Sequence, residues 1–216
     1  MPFNDSERHE RLTLKEWGVR LTQGWDRVGT NFFRIRYQYY LNPDLVSYER
    51  MPLRYKLNGF EFTKSQQAVL RKNADLTYLV RPCIIDEAKY HLFQDWYKQR
   101  FGSSESIYKW VDDRTRPFRS QEIAVYDKDK LIACSFFDNT PKAQYSTIAC
   151  FDPNEHKRSL GIFTLLLEIE NAAKKQKIAH YPGHAFVENS MYDYKKKFNN
   201  IEYFDWETQK WLKNNS

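Results

Sequence analysis

Residues 151–196 constrain the fold more than any other stretch. They read FDPNEHKRSLGIFTLLLEIENAAKKQKIAHYPGHAFVENSMYDYKK. A strand pattern ends at Asp152-Pro153, and Ser159-Leu160-Gly161 opens the most apolar helix pattern of the chain. A second strand follows, and SMYDYKKKF reads as a closing helix. This order predicts a helix N-terminus and two strand ends around one cleft. Ligands gather at strand ends in such sheets, and helix N-termini favour anionic groups.

Upstream, LTLKEWGVRL reads as a short helix or an arm, and TNFFRIRYQYY as one aromatic strand. A turn is expected at Asn42-Pro43-Asp44 and a strand pair over SYERMPLRYKLNGFEF, with Asn58-Gly59 as its turn. Thr63 or Ser65 caps a helix through SQQAVLRKN, LTYLVRPCII is a strand, and Asp86 caps a helix that Gly102 ends. SIYKWVDD is a further helical piece. EIAVYDKDKLIACSFFDN is a hairpin turning near residues 127–130, QYSTIACFDP the next strand, KIAHYPGHAF another, and IEYFDWETQKWL an end strand. The expected architecture is α/β (α+β), a mixed sheet with flanking helices. Residues 1–80 form an N-terminal region and residues 81–216 a second domain, joined in one compact unit.

The chain has 216 residues, 17% of them aromatic, which favours a packed globule over disorder. Its formal net charge of +6 favours nucleic acid, anionic membrane or acidic protein partners and names none of them. The three cysteines, Cys83, Cys134 and Cys150, form no C-x-x-C pair, which argues against a disulfide framework and a zinc site. Cys134 and Cys150 sit in apolar runs as small core residues. The polar N-terminus shows no secretory pattern, and no apolar run reaches the roughly 20 residues that span a bilayer. A reducing, cytoplasmic setting without membrane attachment is expected.

Several groups of residues can carry chemistry. Lys157 and Arg158 flank the helix start at Ser159, a plausible N-cap, where Gly161 permits close approach by a ligand. Two cations there suit a phosphate or carboxylate, and solvated side chains are the bland alternative. Tyr181, Gly183 and His184 lie in the following strand, Tyr194 and Lys195 beyond it. Core packing explains Tyr181 equally well and Tyr194 less well. Arg71 and Lys72 suit an RNA backbone or a solvated helix face, and Asp138 lines the cleft or caps a turn.

In their order and spacing these residues resemble the aminoacyl-tRNA–protein transferases, the arginyltransferases of eukaryotes and leucyltransferases of bacteria. The likeness runs over residues 24–211, from Gly24-Trp25-Asp26-Arg27 to just past Trp206. Met51-Pro52-Leu53-Arg54 resembles the family's V-P-L-R. Phe62, Ser65, Gln66, Arg71 and Asn73 match its F-x-x-S-Q-R-R-x-x-R-x-N stretch, with Gln67 and Ala68 in place of the Arg pair. Asp152, Pro153, Arg158, Ser159, Leu160 and Gly161 match a strand ending in D-P followed by R-S-L-G. Tyr181 and Gly183 match Y-L-G-Y-W-I, with His184 replacing an aromatic. Tyr194-Lys195 matches a Y-K pair whose preceding K-M is Met191-Tyr192 here, so the first Lys is lost. The family's N-terminal cysteine cluster is absent. Tyr37 to Tyr40 and Ser47 to Arg50 stand about where it would be, so no metal and no cofactor are expected.

The resemblance implies an N-acetyltransferase-like (acyl-CoA N-acyltransferase-like) fold in the second half. It also implies transfer of arginine or leucine from aminoacyl-tRNA to an N-terminal amine, typically of a protein starting with Asp or Glu, as an N-degron tag. His184, Ser159 and Tyr194 are then the catalytic candidates. Lys157, Arg158, Gly161, Tyr181, Gly183, Lys195, Asp138 and Asp152 are candidates for substrate binding, and Arg54, Arg71 and Lys72 for tRNA. Two rivals stand beside this reading. One is an acyl-CoA N-acyltransferase of the same fold, disfavoured because Phe163 occupies a position usually small in the pyrophosphate loop. The other is a non-catalytic RNA- or peptide-binding homologue.

Overall fold

The computed structural model describes residues 3–42, 44–111 and 117–213. The chain opens with β1 (Asn4–Arg8), α1 (Leu14–Thr22), β2 (Asp26–Val28) and β3 (Asn31–Ile35), and β1, β3 and β2 form a small antiparallel sheet. β4 (Tyr37–Asn42) and β5 (Asp44–Lys56) are an antiparallel pair, and Pro43 of the expected turn lies outside the described residues. The aromatic run expected as one strand is therefore two, divided between sheets. The expected strand pair over residues 47–62 is instead one continuous 13-residue strand.

β5 is long because its partners change along its length. β4 covers it up to Glu49, β11 (His184–Phe186) pairs at Arg50, Met51 and Pro52, β12 (Ile201–Asp205) at Leu53 to Tyr55, and β10 (Ala179–Tyr181) at Tyr55 and Lys56. The central order is β13 (Lys210–Lys213), β12, β5, β10, β9 (Ala143–Phe151), β8 (Lys130–Asn139), β7 (Gln121–Asp127) and β6 (Thr77–Pro82). β10 and β9 are parallel, and their connection is α4 (Leu160–Lys174). The remaining helices are α2 (Lys64–Lys72) and α3 (Glu87–Phe101).

Local chemistry sets the helix ends. Thr13 with Glu16 and Thr63 with Gln66 form capping boxes at α1 and α2, so Thr63 rather than Ser65 is the cap. Asp86 caps α3, and Gly102 ends it at φ +69°. α4 is apolar on most sides and accordingly buried on most sides. It packs through Leu160, Phe163 and Leu167 against Ile123, Ala133 and Phe137, while α3 packs through Phe93 and Trp96 against Cys134, Phe136 and Cys150. Ala133 and Cys134 are neighbours on one strand, so α4 and α3 cover opposite faces of the sheet.

Three expectations at the C-terminal end are corrected. KIAHYPGHAF is two three-residue strands, because Pro182 and Gly183 (φ +81°) redirect the chain from β9 to β5. SMYDYKKKF holds only a 3-10 turn, Asp193–Lys197, and the end strand is the β12–β13 hairpin. SIYKWVDD contributes a 3-10 turn, Ile107–Lys109, and its last two residues lie outside the described residues.

Candidate active site

β9 and β10 stay paired only from Ala143↔Ala179 to Tyr145↔Tyr181. Beyond Tyr145, β9 runs on to Phe151 while the chain after Tyr181 crosses to β5. The two strands diverge, and the start of α4 faces the gap. A cavity of about 660 Å³ fills it, walled by β9 from Tyr145 to Ala149, by Ser159 to Ile162, by Pro182 to His184 and by Tyr192, Tyr194 and Lys195. Trp96, Arg100 and Phe101 of α3, with Trp110, Tyr40 and Gln38, complete the wall.

Ser159, Gly161, Gly183, His184, Tyr194 and Lys195 are thus brought together as cavity residues. Ser159 does not cap α4 with its side chain. Its backbone is left-handed (φ +56°, ψ +44°), and its carbonyl accepts from Ile162 and Phe163 N–H. Gly161 is required by packing: a Cβ there would lie 2.9 Å from the Phe151 ring. Phe163 is turned into the core beneath α4, so the bulk expected to crowd a pyrophosphate is directed away from the cavity.

The other named residues stand outside the cavity wall. Arg158 pairs with Asp75 at 2.9 Å and with Glu155 at 3.2 Å. The Lys157 carbonyl accepts from Lys72 Nζ, and the Arg158 carbonyl from Asn73 Nδ2. Arg158, expected to meet a ligand, is therefore drawn towards the C-terminal end of α2, which anchors this turn, while the Lys157 side chain is exposed. Arg71 and Lys72 are exposed there. Arg54 is folded back against Glu202 at 2.6 Å and over the Trp211 ring. Tyr181 is buried against Trp211. Asp152 pairs with Lys130 and caps the 153–158 turn through Asn154 N–H.

Asp138 is fully buried and receives four hydrogen bonds, from Trp17 Nε1, Ser120 Oγ and two Arg27 nitrogens. It neither reaches the cavity nor caps a turn; it holds Arg27, which does line the wall.

At the centre lies a network that motif spacing did not single out. Asp26 accepts from Arg50 Nη2 and from the Tyr145 hydroxyl. His184 Nδ1 lies 3.2 Å from Asp26 Oδ2 and 2.9 Å from Arg50 Nη2. Burial opposes charge on Asp26, but the His184 hydrogen bond and the Arg50 charge outweigh it and hold the carboxyl well below the usual range. Burial and then Arg50 lower His184 to about 4, which leaves the ring neutral near pH 7. Donation from Nδ1 to Asp26 leaves the lone pair on Nε2, the tautomer a base needs; acceptance from Arg50 places the proton there instead.

Lys195 Nζ donates to the carbonyls of Pro182 (2.8 Å) and His184 (3.2 Å), and burial lowers it to about 8. Burial pushes the Tyr194 hydroxyl up to about 12. Asp26 and Arg50 come from segments 24 residues apart, and only Gly24-Trp25-Asp26-Arg27, at the start of the resemblance, pointed to one of them.

The region standing about where the family carries its cysteines forms β3, β4 and the start of β5. Tyr37 faces Glu49 across the β4–β5 pair, and Tyr39 faces Ser47. Among the described residues no group of three or more His, Cys, Asp or Glu side chains converges as a metal site. Cys134 and Cys150 are buried free thiols, as their apolar surroundings predicted.

Residues 88–205 match the family described as arginine-tRNA-protein transferase, C terminus. The chain belongs to that family. It is 30% identical over 161 residues to the aspartate/glutamate leucyltransferase of Saccharophagus degradans, covering 71% of this chain and 68% of that protein. It is 29% identical to the enzyme of that name from Shewanella sp. strain ANA-3, covering 68% and 63%. The chain thus spans about two thirds of the length of these relatives.

Among solved structures, the L-PGS of Bacillus licheniformis superposes with a TM-score of 0.52 at 10% identity, over 71% of this chain and 50% of that one. The C-terminal DUF2156 domain of a lysylphosphatidylglycerol synthetase candidate from Agrobacterium fabrum also gives 0.52, at 15% identity, over 64% and 47%. These likenesses show the fold, the mixed α+β arrangement expected from the sequence. Among the described residues no helix is long and apolar enough to cross a membrane.

Proposed function

We propose that this chain transfers an amino acid, leucine or arginine, from aminoacyl-tRNA to the N-terminal α-amine of a protein, marking it as an N-degron. The observation that carries the reading is the divergent β9–β10 cleft, with α4 opening on it, in a chain of this family. The donor ester is already activated, so positioning two reactants is most of the task. An α-amine has a pKa of about 7.7–8.0, so a neutral fraction is present near pH 7.

The aminoacyl end enters the cavity between the aromatic wall of α3 and Tyr192 and Tyr194. Leu160 and Gly161 N–H precede the first intrahelical bond of α4, and with Arg100 and His156 they face the terminal phosphates at the cavity mouth. Arg71 and Lys72 extend that cationic surface. Arg54, held by Glu202, stays with the sheet. His184, fixed by Asp26 and Arg50, is the base candidate beside the amine, and Lys195 holds the Pro182–His184 backbone in place. An acidic first residue of the acceptor is matched by the cations Arg50 and Lys195.

The deciding experiment is transfer of radiolabelled amino acids from total charged tRNA to peptides starting with Asp, Glu or Ala. Incorporation onto the acidic peptides, dominated by one amino acid, supports the reading and names the donor. Salt-sensitive tRNA retention without incorporation points to a binding homologue. Incorporation from acyl-coenzyme A alone points to the acyltransferase of the same fold.

A further inference from the structure

Ser146 is the first residue of β9 after its last pairing with β10, so it stands where the strands part. On the other edge of β9 the register slips: Phe137 faces Ser146, Phe136 faces Ile148, and Thr147 is left over. An extra residue of this kind bends a strand and re-aims its side chains. Ser146 lies on the cavity wall, part-exposed.

Behind it sit two buried titratable groups that the proposed function does not use. The Ser146 hydroxyl donates to Glu168 Oε2, and its oxygen lies 3.0 Å from His180 Nε2. Glu168 is on the innermost face of α4 and is 2% exposed; His180, on β10, is fully buried. A carboxyl group in the middle of an apolar helix is costly unless its environment uses it. The charged groups felt by Glu168 are Lys195 and Asp138, of opposite effect, and burial outweighs both, lifting it to about 8. Burial, with Lys195, lowers His180 to about 3, so the ring is neutral. The hydroxyl proton is committed to Glu168, so His180 Nε2–H donates to the same oxygen. His180 Nδ1 has no hydrogen-bond partner, consistent with this tautomer. The remaining lone pair of Ser146 Oγ is left for the cavity.

We infer that Ser146 is a further catalytic residue of the transfer reaction, relaying the proton of the attacking amine to Glu168, with His180 positioning the hydroxyl. The inference rests on the proposed function and adds a proton path to it. The amine nitrogen forms a bond to the ester carbonyl carbon, whose π electrons move to oxygen. The nitrogen then loses its proton to Ser146 Oγ as the hydroxyl proton passes to Glu168 Oε2. When the carbonyl re-forms, the carbon–oxygen bond to the ribose breaks. The ribosyl oxygen takes a proton back from Glu168 through Ser146, which restores both groups.

The test is single-turnover transfer from charged tRNA between pH 6 and 9. The acceptor is a peptide whose first residue is an aza-amino acid, so its terminal NH2 belongs to a semicarbazide that stays neutral across that range and any titration belongs to the protein. The unsubstituted chain, Ser146→Ala, Ser146→Thr and Glu168→Gln are compared, with charged-tRNA binding measured in parallel. The expected result is a rate that rises towards pH 8 in the unsubstituted chain. Ser146→Ala and Glu168→Gln lower it on the order of 100-fold at unchanged tRNA affinity. Glu168→Gln also flattens the rise, and Ser146→Thr restores most of the rate.

Rates and profiles unchanged in both Ser146→Ala and Glu168→Gln would overturn the relay while leaving the transferase reading intact. Absence of transfer by the unsubstituted chain removes the reaction and the relay together. Thermal melting checks that Glu168→Gln folds; if it does not, Ser146→Ala, at a small side chain on the cavity wall, decides the question alone.

Discussion

Asp138 and Asp26 are both carboxylates beside an arginine, yet they serve different ends. Asp138 is buried with Arg27, and all four of its bonds come from inside the protein. Removing one partner of such a pair strands a buried charge. Asp138→Ala should therefore destabilise the fold by about 3–5 kcal/mol, read from the denaturant midpoint. Asp138→Leu combined with Arg27→Met should recover much of that loss. Asp26 instead belongs to the cavity wall, where it fixes His184 and Arg50. Acid should act on this residue-scale network first. His184 and His180 have folded pKa values of about 4 and 3, below the unfolded value near 6.5. The unfolded chain therefore binds more protons below pH 6.5, and stability falls as pH drops from there towards 4, by up to about 1.4 kcal/mol per pH unit for each ring. Asp26, depressed as well, adds to the loss at lower pH, while Glu168, raised from 4.5 to about 8, offsets one ring's share above its unfolded value. Thermal melting from pH 7 to 4 should show the slope, and His184→Asn with His180→Asn should flatten it.

At the scale of elements, the 153–158 turn and the start of α4 depend on α2. Asn73 Nδ2 ties that turn to α2 through the Arg158 carbonyl and is itself nearly inaccessible. The capping box of Thr63 and Gln66 holds the other end of α2. Thr63→Ala should lower stability by about 1 kcal/mol, measured by chemical denaturation, and lower transfer only modestly. Gly161→Ala acts differently. Its Cβ would press on the Phe151 ring, which lines the cavity and packs beside both α4 and α3. Overpacking of this kind costs about 1–3 kcal/mol, and here it should also raise the KM for charged tRNA. A melting curve and steady-state kinetics on the same variant separate the two effects.

For the whole molecule, the formal charge of +6 is spread over a surface whose arginines are largely engaged in pairs. Arg34, Arg36, Arg54, Arg81 and Arg158 each have a carboxylate partner. On the proposed function, attraction for tRNA falls to exposed cations such as Arg71 and Lys72. Affinity for tRNA should drop linearly on a log–log plot against salt. Arg71→Glu with Lys72→Glu should weaken binding uniformly across tRNA species and shallow that slope by about 2. Nitrocellulose retention at several salt concentrations measures both. Arg54→Ala should leave the slope unchanged and instead loosen the β5–β12 pair.

The sequence by itself determined the family, through the order and spacing of its motifs, and the mixed fold and most elements, because periodicity, caps and turn residues act over a few neighbours. Thr63, Asp86 and Gly102 set helix ends by chemistry confined to one turn. Gly161, Gly183, His184, Tyr194 and Lys195 were legible because all five lie within the opening 46-residue stretch, separated by a single helix and a strand crossing. What only the tertiary structure decided were the pairings between distant segments. A cation beside a helix start reads as ligand-binding until Asp75 and Glu155 are seen to hold it. An aspartate at a strand end reads as a cleft residue until Arg27, more than a hundred positions away, is found beside it. Asp26, Arg50 and the Ser146–Glu168–His180 cluster carry no local pattern. The charge states of Glu168 and His180 come from burial, and burial is a property of the folded whole.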